Sequence, residues 1–370
     1  MDHFDSPHAP ELLTRREVLR RGARLGGAAG ALALASGTWG SLDALASDPF
    51  SGTLKFLTYP GWIGKGEYAA FKKLYPHVSI KEDTNGVGST AAIAAKIQTD
   101  PHAYDFLLLG RAGVPQLQAS GVLATIDYSK VPNIRNLPAR FRQLYPWGIP
   151  TDYGKIGYAY RKDLISERPT TWKEFFALAP KYSGKVILLD VMEDCLGNTL
   201  IMLGYSGNTH DSGQLAKAKA KLLSIKPHVQ AVIATDVAKP LITGGAVLTM
   251  DWDFDIAVAK QKQPNIEWVV PKEGLMAYIE GWVGVKTSSH LQAIEAFMNF
   301  HLQPKQYADF VNSTGTAYLM PSASRYIKKA ISNDPILAFN SSVIKKIQFE
   351  AFKGKALGIW NQTWNEFKAA

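Results

Sequence analysis

The chain has 370 residues, 46% of them hydrophobic and 20% charged, and a formal net charge of +9. That balance supports a sizeable core and excludes a long disordered chain, a collagen-like repeat and a disulfide-dense miniprotein. The single cysteine, Cys195, permits neither an intramolecular disulfide nor a thiolate cluster for zinc. A mean hydropathy of −0.08 argues against a polytopic membrane protein.

In chain order, the first segment reads as an address. Thr14-Arg15-Arg16-Glu17 places paired arginines ahead of an uncharged stretch rich in Gly, Ala and Leu at 25–35, and Ala44-Leu45-Ala46 supplies small residues at a cleavage spacing. These are the parts of an export signal, and the twin arginine points to the route that carries folded proteins. The stretch is shorter and more dilute than the roughly 20 apolar residues needed to span a bilayer, so cleavage near Ala46 is expected. The signal holds five arginines and five acidic residues, leaving the mature chain at +9. No cysteine stands near the exit to carry a lipid, so a free periplasmic protein is expected. The lysines are dispersed and no nucleic-acid motif is present, so nucleic acid is not expected as a partner.

Strand-like and helix-like segments then alternate. Strands are expected at 53–59, 78–81, 104–109, 156–160, 185–189, 246–250, 266–270 and 282–285. Helices are expected at 67–75, 93–97, 213–224, 254–260, 292–300 and 305–312. Ser89 is placed to cap the helix at 93–97, and Thr171-Trp172-Lys173-Glu174 is a capping box that opens another. Such alternation predicts α/β lobes with mostly parallel sheets covered by helices.

Catalytic motifs are absent: there is no P-loop, nucleophile elbow or dinucleotide fingerprint after a strand. Gly204-Tyr205-Ser206-Gly207 reads as a turn into a helix. The histidines show no ligand spacing, so no metal site, cofactor or catalytic residue is expected, and Cys195 reads as a small buried residue. Aromatics paired with carboxylates near strand ends do stand out: Trp62, Glu193 with Asp194, Asp251-Trp252-Asp253, and Tyr278 with Glu280. In α/β lobes, ligands bind beyond the carboxyl ends of strands. A π-face attracts an ammonium through its quadrupole, and a carboxylate adds a charge-assisted hydrogen bond. The combination suits an organic cation.

Three stretches carry a resemblance. They are Thr171-Trp172 through Lys181-Tyr182-Ser183-Gly184-Lys185, then Leu203-Gly204-Tyr205-Ser206-Gly207-Asn208-Thr209, then Pro271-Lys272-Glu273-Gly274. In order and spacing the chain resembles the periplasmic spermidine/putrescine-binding proteins of ABC importers. The resemblance implies an α/β, two-lobed periplasmic binding protein of type II, with a ligand cleft between lobes that close about a hinge. It implies a division into 47–154 plus 278–317 as lobe 1 and 155–277 plus 318–370 as lobe 2. It implies ligand contacts at Trp62, Asp194, Trp252, Tyr278 and Glu280. A polyamine-like cation would be the ligand and membrane permease subunits the partners. The carrier would be a monomer without enzymatic activity.

The chain also departs from that pattern. Val191 stands where the family has an aspartate, with Asp190 and Glu193 as substitutes nearby. Gly110-Arg111-Ala112-Gly113 replaces small hydroxyl and tyrosine residues. An arginine there suits a carboxylate, so an amino acid derivative is an alternative ligand. A ferric ion held by tyrosines such as Tyr153, Tyr158, Tyr160 and Tyr318 is another. An exported enzyme is the alternative of a different class.

Overall fold

A computed structural model describes residues 50–85 and 90–370. The export signal at 1–46 and the capping residue Ser89 lie outside the described residues.

The strands of the described residues are β1 (Gly52–Leu57), β2 (Val78–Asp83), β3 (Phe106–Gly110), β4 (Ile149–Arg161), β5 (Val186–Leu189), β6 (Val229–Ile233), β7 (Leu248–Trp252), β8 (Ile266–Val269), β9 (Leu275–Gly284), β10 (Ala317–Tyr318) and β11 (Ile347–Phe349). They form one curled sheet in the order β2-β1-β3-β9-β4-β7-β5-β6, with β10 and β8 also on β4 and β11 on β9. The outer parts are parallel, as the alternating pattern predicts: β1 with β2 and β3 on one side, β5 with β6 and β7 on the other. The centre is not. The pairings β3–β9, β9–β4 and β4–β7 are all antiparallel, because two long strands run back and forth between the halves.

Two main cores flank these crossing strands. Phe56, Phe106, Trp282, Phe297 and Phe310 belong to one, and Tyr158, Trp172, Leu188, Leu248 and Trp360 to the other. β4 is thirteen residues long and buried throughout, contributing Ile149 and Tyr153 to the first core and Ile156, Tyr158 and Tyr160 to the second. Both lobes thus share continuous backbone.

Local chemistry accounts for most elements. The Thr171 side chain accepts a hydrogen bond from Glu174 N, as its capping box requires, and opens the helix Trp172–Lys181. The helix Met192–Met202 was not legible, because every residue from Asp194 to Met202 is buried and no polar face marks its period. β4 and β9 extend well beyond the expected 156–160 and 282–285. Two of the three resembling stretches dock on one another: Trp172 N donates to Glu273 at 3.1 Å, and Trp172 Nε1 to Gly274 O at 2.9 Å. They are structural, and their joint occurrence follows from this contact.

Candidate functional site

The site grows from the middle of β4 and β9. In their antiparallel register Asp152 faces Glu280, Gly154 faces Tyr278 and Ile156 faces Met276. Along β9 every residue is buried except Tyr278 and Glu280. Residues two apart on a strand share a face, so this is the face that opens from the sheet. A Cβ at Gly154 would lie 2.3 Å from the Tyr278 ring and hydroxyl. The phenol therefore lies directly across β4, and only glycine leaves it room.

One end of the site is a pair of carboxyl groups. Asp152 is fully buried, and Thr151 Oγ1 donates to its Oδ1 at 2.8 Å while its Oδ2 has no donor among the described residues. Burial raises the Asp152 pKa to about 6, against the pull of that hydroxyl. Glu280 is pushed well above the carboxylate range by burial and then by Asp152, with a hydrogen bond from Tyr59 opposing. The Trp62 indole N–H lies close enough to hold the Asp152 pKa down in part. Tyr59 packs edge-on to Trp62, with ring centroids 5.4 Å apart at 74°.

The other end is built from three segments. β7 ends in Trp252, which pairs with Ile156 of β4. The Trp252 indole N–H donates to Asp194 Oδ2 at 3.1 Å. Asp194 sits in the first turn of the helix Met192–Met202, where the helix dipole favours an acid. Asn198 fixes that helix to β9, accepting from Met276 N at 2.8 Å. Glu350 follows β11 and extends its pairing, with Glu350 N donating to Ala277 O at 2.9 Å beside Tyr278. The Glu350 carboxyl lies close enough to Asp194 for each to influence the other's ionisation. Burial raises Asp194 to about 7, offset by the bond to Glu350 and reinforced by Glu193. Glu350 is raised well above its usual range by burial and then by Asp194.

Two cations stand at this second end. Lys353 is buried, its Nζ donating to Asn208 Oδ1 at 2.6 Å and lying 4.2 Å from the Trp360 ring centroid. Burial lowers its pKa to about 8. Arg111 donates from Nε to Leu144 O at 2.8 Å and from Nη1 to Glu350 O at 2.6 Å. Much of its guanidinium therefore bridges backbone carbonyls of two segments. Asn208, from the resembling stretch at 203–209, also donates to Phe349 O and accepts from Ala351 N. It clamps the segment that carries Glu350 and Lys353.

Tyr278 lies between the two ends. Its hydroxyl pKa is raised well above normal by burial first and then by Asp152, Asp253, Glu280 and Asp194. Of the residues singled out in the sequence, Trp62 and Glu280 therefore gather with Asp152 at one end, Asp194 and Trp252 pair at the other, and Tyr278 joins them. Beside Val191, Asp190 pairs with Lys368 at 3.0 Å, and the charge of Glu193 raises the Asp194 pKa further. The reading missed Tyr59, Asp152, Glu350 and Lys353. Strand geometry sets the length of the site: the four steps of β4 from Asp152 to Ile156 span roughly 13 Å.

Residues 68–339 match the bacterial extracellular solute-binding protein family. The chain belongs to that family. Among curated relatives, it is 26% identical to the spermidine/putrescine-binding periplasmic protein of Salmonella typhimurium over 349 residues, covering 92% of this chain and 97% of the relative. Its fold is similar to the spermidine/putrescine ABC transporter substrate-binding protein PotD from Streptococcus pneumoniae, with a TM-score of 0.76 at 22% identity, covering 86% of this chain and 99% of that one. It is equally similar to the Tp0655 lipoprotein of Treponema pallidum, with a TM-score of 0.76 at 21% identity, covering 85% of this chain and 99% of that one. These structural likenesses bear out the two-lobed α/β architecture expected from sequence.

Proposed function

We propose that this solute-binding protein serves an ABC importer and captures a polyamine or related amine by closing two lobes around it. The observation that carries the reading is the Asp152–Glu280 pair. The buried Asp152 carboxyl and the partly buried Glu280 carboxyl face each other with no lysine or arginine of the described residues between them. Such an arrangement is destabilising until a cation arrives. Trp62 and Tyr59 beside it, and Tyr278 and Trp252 further along, provide π-faces for an alkylammonium chain. The names of the relatives support the same class of ligand.

The finer points belong to the same reading. The carrier is monomeric, periplasmic and not an enzyme, and it hands its ligand to membrane permease subunits. Export follows the twin-arginine route with cleavage near Ala46. The lobes meet along β4 and β9, with 47–154 plus 278–317 in lobe 1 and 155–277 in lobe 2. The segment after 317 is divided between them: Leu319, Ile327, Ile344 and Phe349 pack in the first core, Trp360 and Phe367 in the second.

The alternatives have weaker support. Arg111 is engaged by backbone carbonyls, which disfavours it as a carboxylate receptor. Tyr153 and Tyr158 are buried, and the Tyr158 hydroxyl donates to Thr171 O, which disfavours a tyrosine-lined ferric site. Native mass spectrometry of freshly purified protein, followed by calorimetry with putrescine and spermidine, tests the proposal. A mass increment matching an amine, or micromolar affinity for one, is expected. Binding only to carboxylates or to iron would overturn it.

A further inference from the structure

The two ends of the site are not equivalent in charge. At the first, Asp152 and Glu280 share a field with no lysine or arginine of the described residues paired to either. His301, whose field reaches Asp152, is buried and engaged by Glu67 at 2.7 Å. Because two facing carboxyl groups hold one proton between them, this end presents about one negative charge. At the second end burial raises both Asp194 and Glu350, and Asp194 holds Glu350 up further, so the pair counts as about one charge, and Glu193 adds another. Here, however, Lys353 is buried with its ammonium fixed on Asn208 at 2.6 Å, and Arg111 is held against Glu350 O at 2.6 Å. Two fixed cations match two anions, so the second end is close to neutral before any ligand enters.

We propose that the ligand is a one-ended amine: an alkyl chain with an ammonium at the Asp152–Glu280 end and an uncharged amide or urea group at the Asp194–Glu350 end. This rests on the amine reading above and narrows it. A second ammonium at the far end would meet Lys353 across a medium that screens poorly. A carboxylate there would meet Asp194, Glu350 and Glu193. A neutral amide meets complementary partners of both kinds. Lys353 Nζ has donors beyond the one given to Asn208, and Asp194 Oδ1 is buried with no conventional donor among the described residues. The amide C=O would accept from the first and the amide N–H would donate to the second. Lys353 is thus the residue that sets specificity between a diamine and its mono-acylated derivative.

Calorimetry with two probes of the same chain length, 1,4-diaminobutane and N-acetyl-1,4-diaminobutane, decides the matter. The purified protein should bind the acetylated amine at least about tenfold more tightly, equivalent to about 1.4 kcal/mol. In Lys353→Met the preference should collapse or invert. Melting of that variant is recorded first, and if it is unfolded Asn208→Ala replaces it, since this releases the ammonium while keeping the charge, and should also narrow the preference. A parent protein that binds the diamine as tightly as, or more tightly than, the acetylated compound would overturn the inference while leaving the amine reading intact. A protein that binds neither would overturn both.

Discussion

Gly154 of β4 and Tyr278 of β9 occupy one position of the sheet between them: the phenol fills the space that any side chain at 154 would need. The obstruction is the mobile end of a side chain and not backbone, so Gly154→Ala should fold and push Tyr278 off its place. Loss of one aromatic wall over an ammonium is worth about 0.5–2 kcal/mol. Calorimetry should therefore show amine affinity falling about 2- to 30-fold with little change in melting temperature. Unchanged affinity would mean that Tyr278 does not line the bound ligand.

Glu280→Gln separates binding from stability. It removes a hydrogen-bonding charge, worth about 1.5–3 kcal/mol toward an amine. It also removes the repulsion that Asp152 and Glu280 impose on each other. The variant should bind amines more weakly yet melt at a higher temperature than the parent without ligand. Asp152→Asn should behave alike, and the double variant should lose less than the sum, as coupled neighbours do.

The pH dependence has a definite sign. Asp152 and Asp194 carry pKa values raised to about 6 and about 7 in the folded protein, against 3.8 for an ordinary exposed aspartate. The folded state therefore holds these protons more tightly than the unfolded one, and their contribution to stability is complete below pH 3.8. It is lost as pH rises through 6 and 7. An ammonium ligand prefers the ionised carboxylates, so amine affinity should rise over the range in which ligand-free stability falls. Lys353, lowered to about 8, acts in a separate window above that range. Melting curves and calorimetry from pH 4.5 to 8, with and without amine, should show the two trends crossing. Affinity that is flat across this interval would remove the buried acids from recognition.

Closure is the mechanical test of a carrier. A ligand shifts a conformational equilibrium only through differential affinity, and here Trp62 packs on one core and Trp252 on the other. Saturating amine should lower the radius of gyration in solution scattering. It should also add about 2.7 kcal/mol of stability at one hundred times the dissociation constant. Trp252→Ala removes the donor to Asp194 as well as a wall, and both responses should shrink. A ligand recovered chemically altered would instead favour an enzyme.

Export is tested by Arg15→Lys combined with Arg16→Lys. The double variant should accumulate in the cytoplasm with its signal uncleaved, and cell fractionation with mass analysis of the N-terminus reports both. Full delivery and processing would exclude the twin-arginine route.

The site was legible from sequence where it obeys local rules. Tyr278 and Glu280 alternate on one strand, and Trp252 follows an apolar run, so their placement near a strand end could be read directly. Asp152 was not readable, because it lies within a strand buried along its whole length and its partner Glu280 comes from a distant segment. Glu350 and Lys353 follow a three-residue strand whose pairing with β9 and whose clamp by Asn208 are purely tertiary. Arg111 was visible as an odd residue, but its carbonyl partners at 144 and 350 could not be. The central antiparallel pairings escaped for the same reason: the alternating pattern describes each lobe, and not the strands shared between them.

The placement of the site on β4 and β9 also governs when it can exist. Asp152 and Glu280 are neighbours only after the chain has closed a loop on the order of 130 residues, a long-range pairing of the kind that slows folding. Helices and the parallel outer strands can form beforehand without creating a receptor. During refolding, amine-induced changes in tryptophan fluorescence should therefore appear after most far-ultraviolet circular dichroism has returned. Recognition in this protein is a late event of chain assembly, so the ability to hold an amine is itself a reporter that the two halves have found each other.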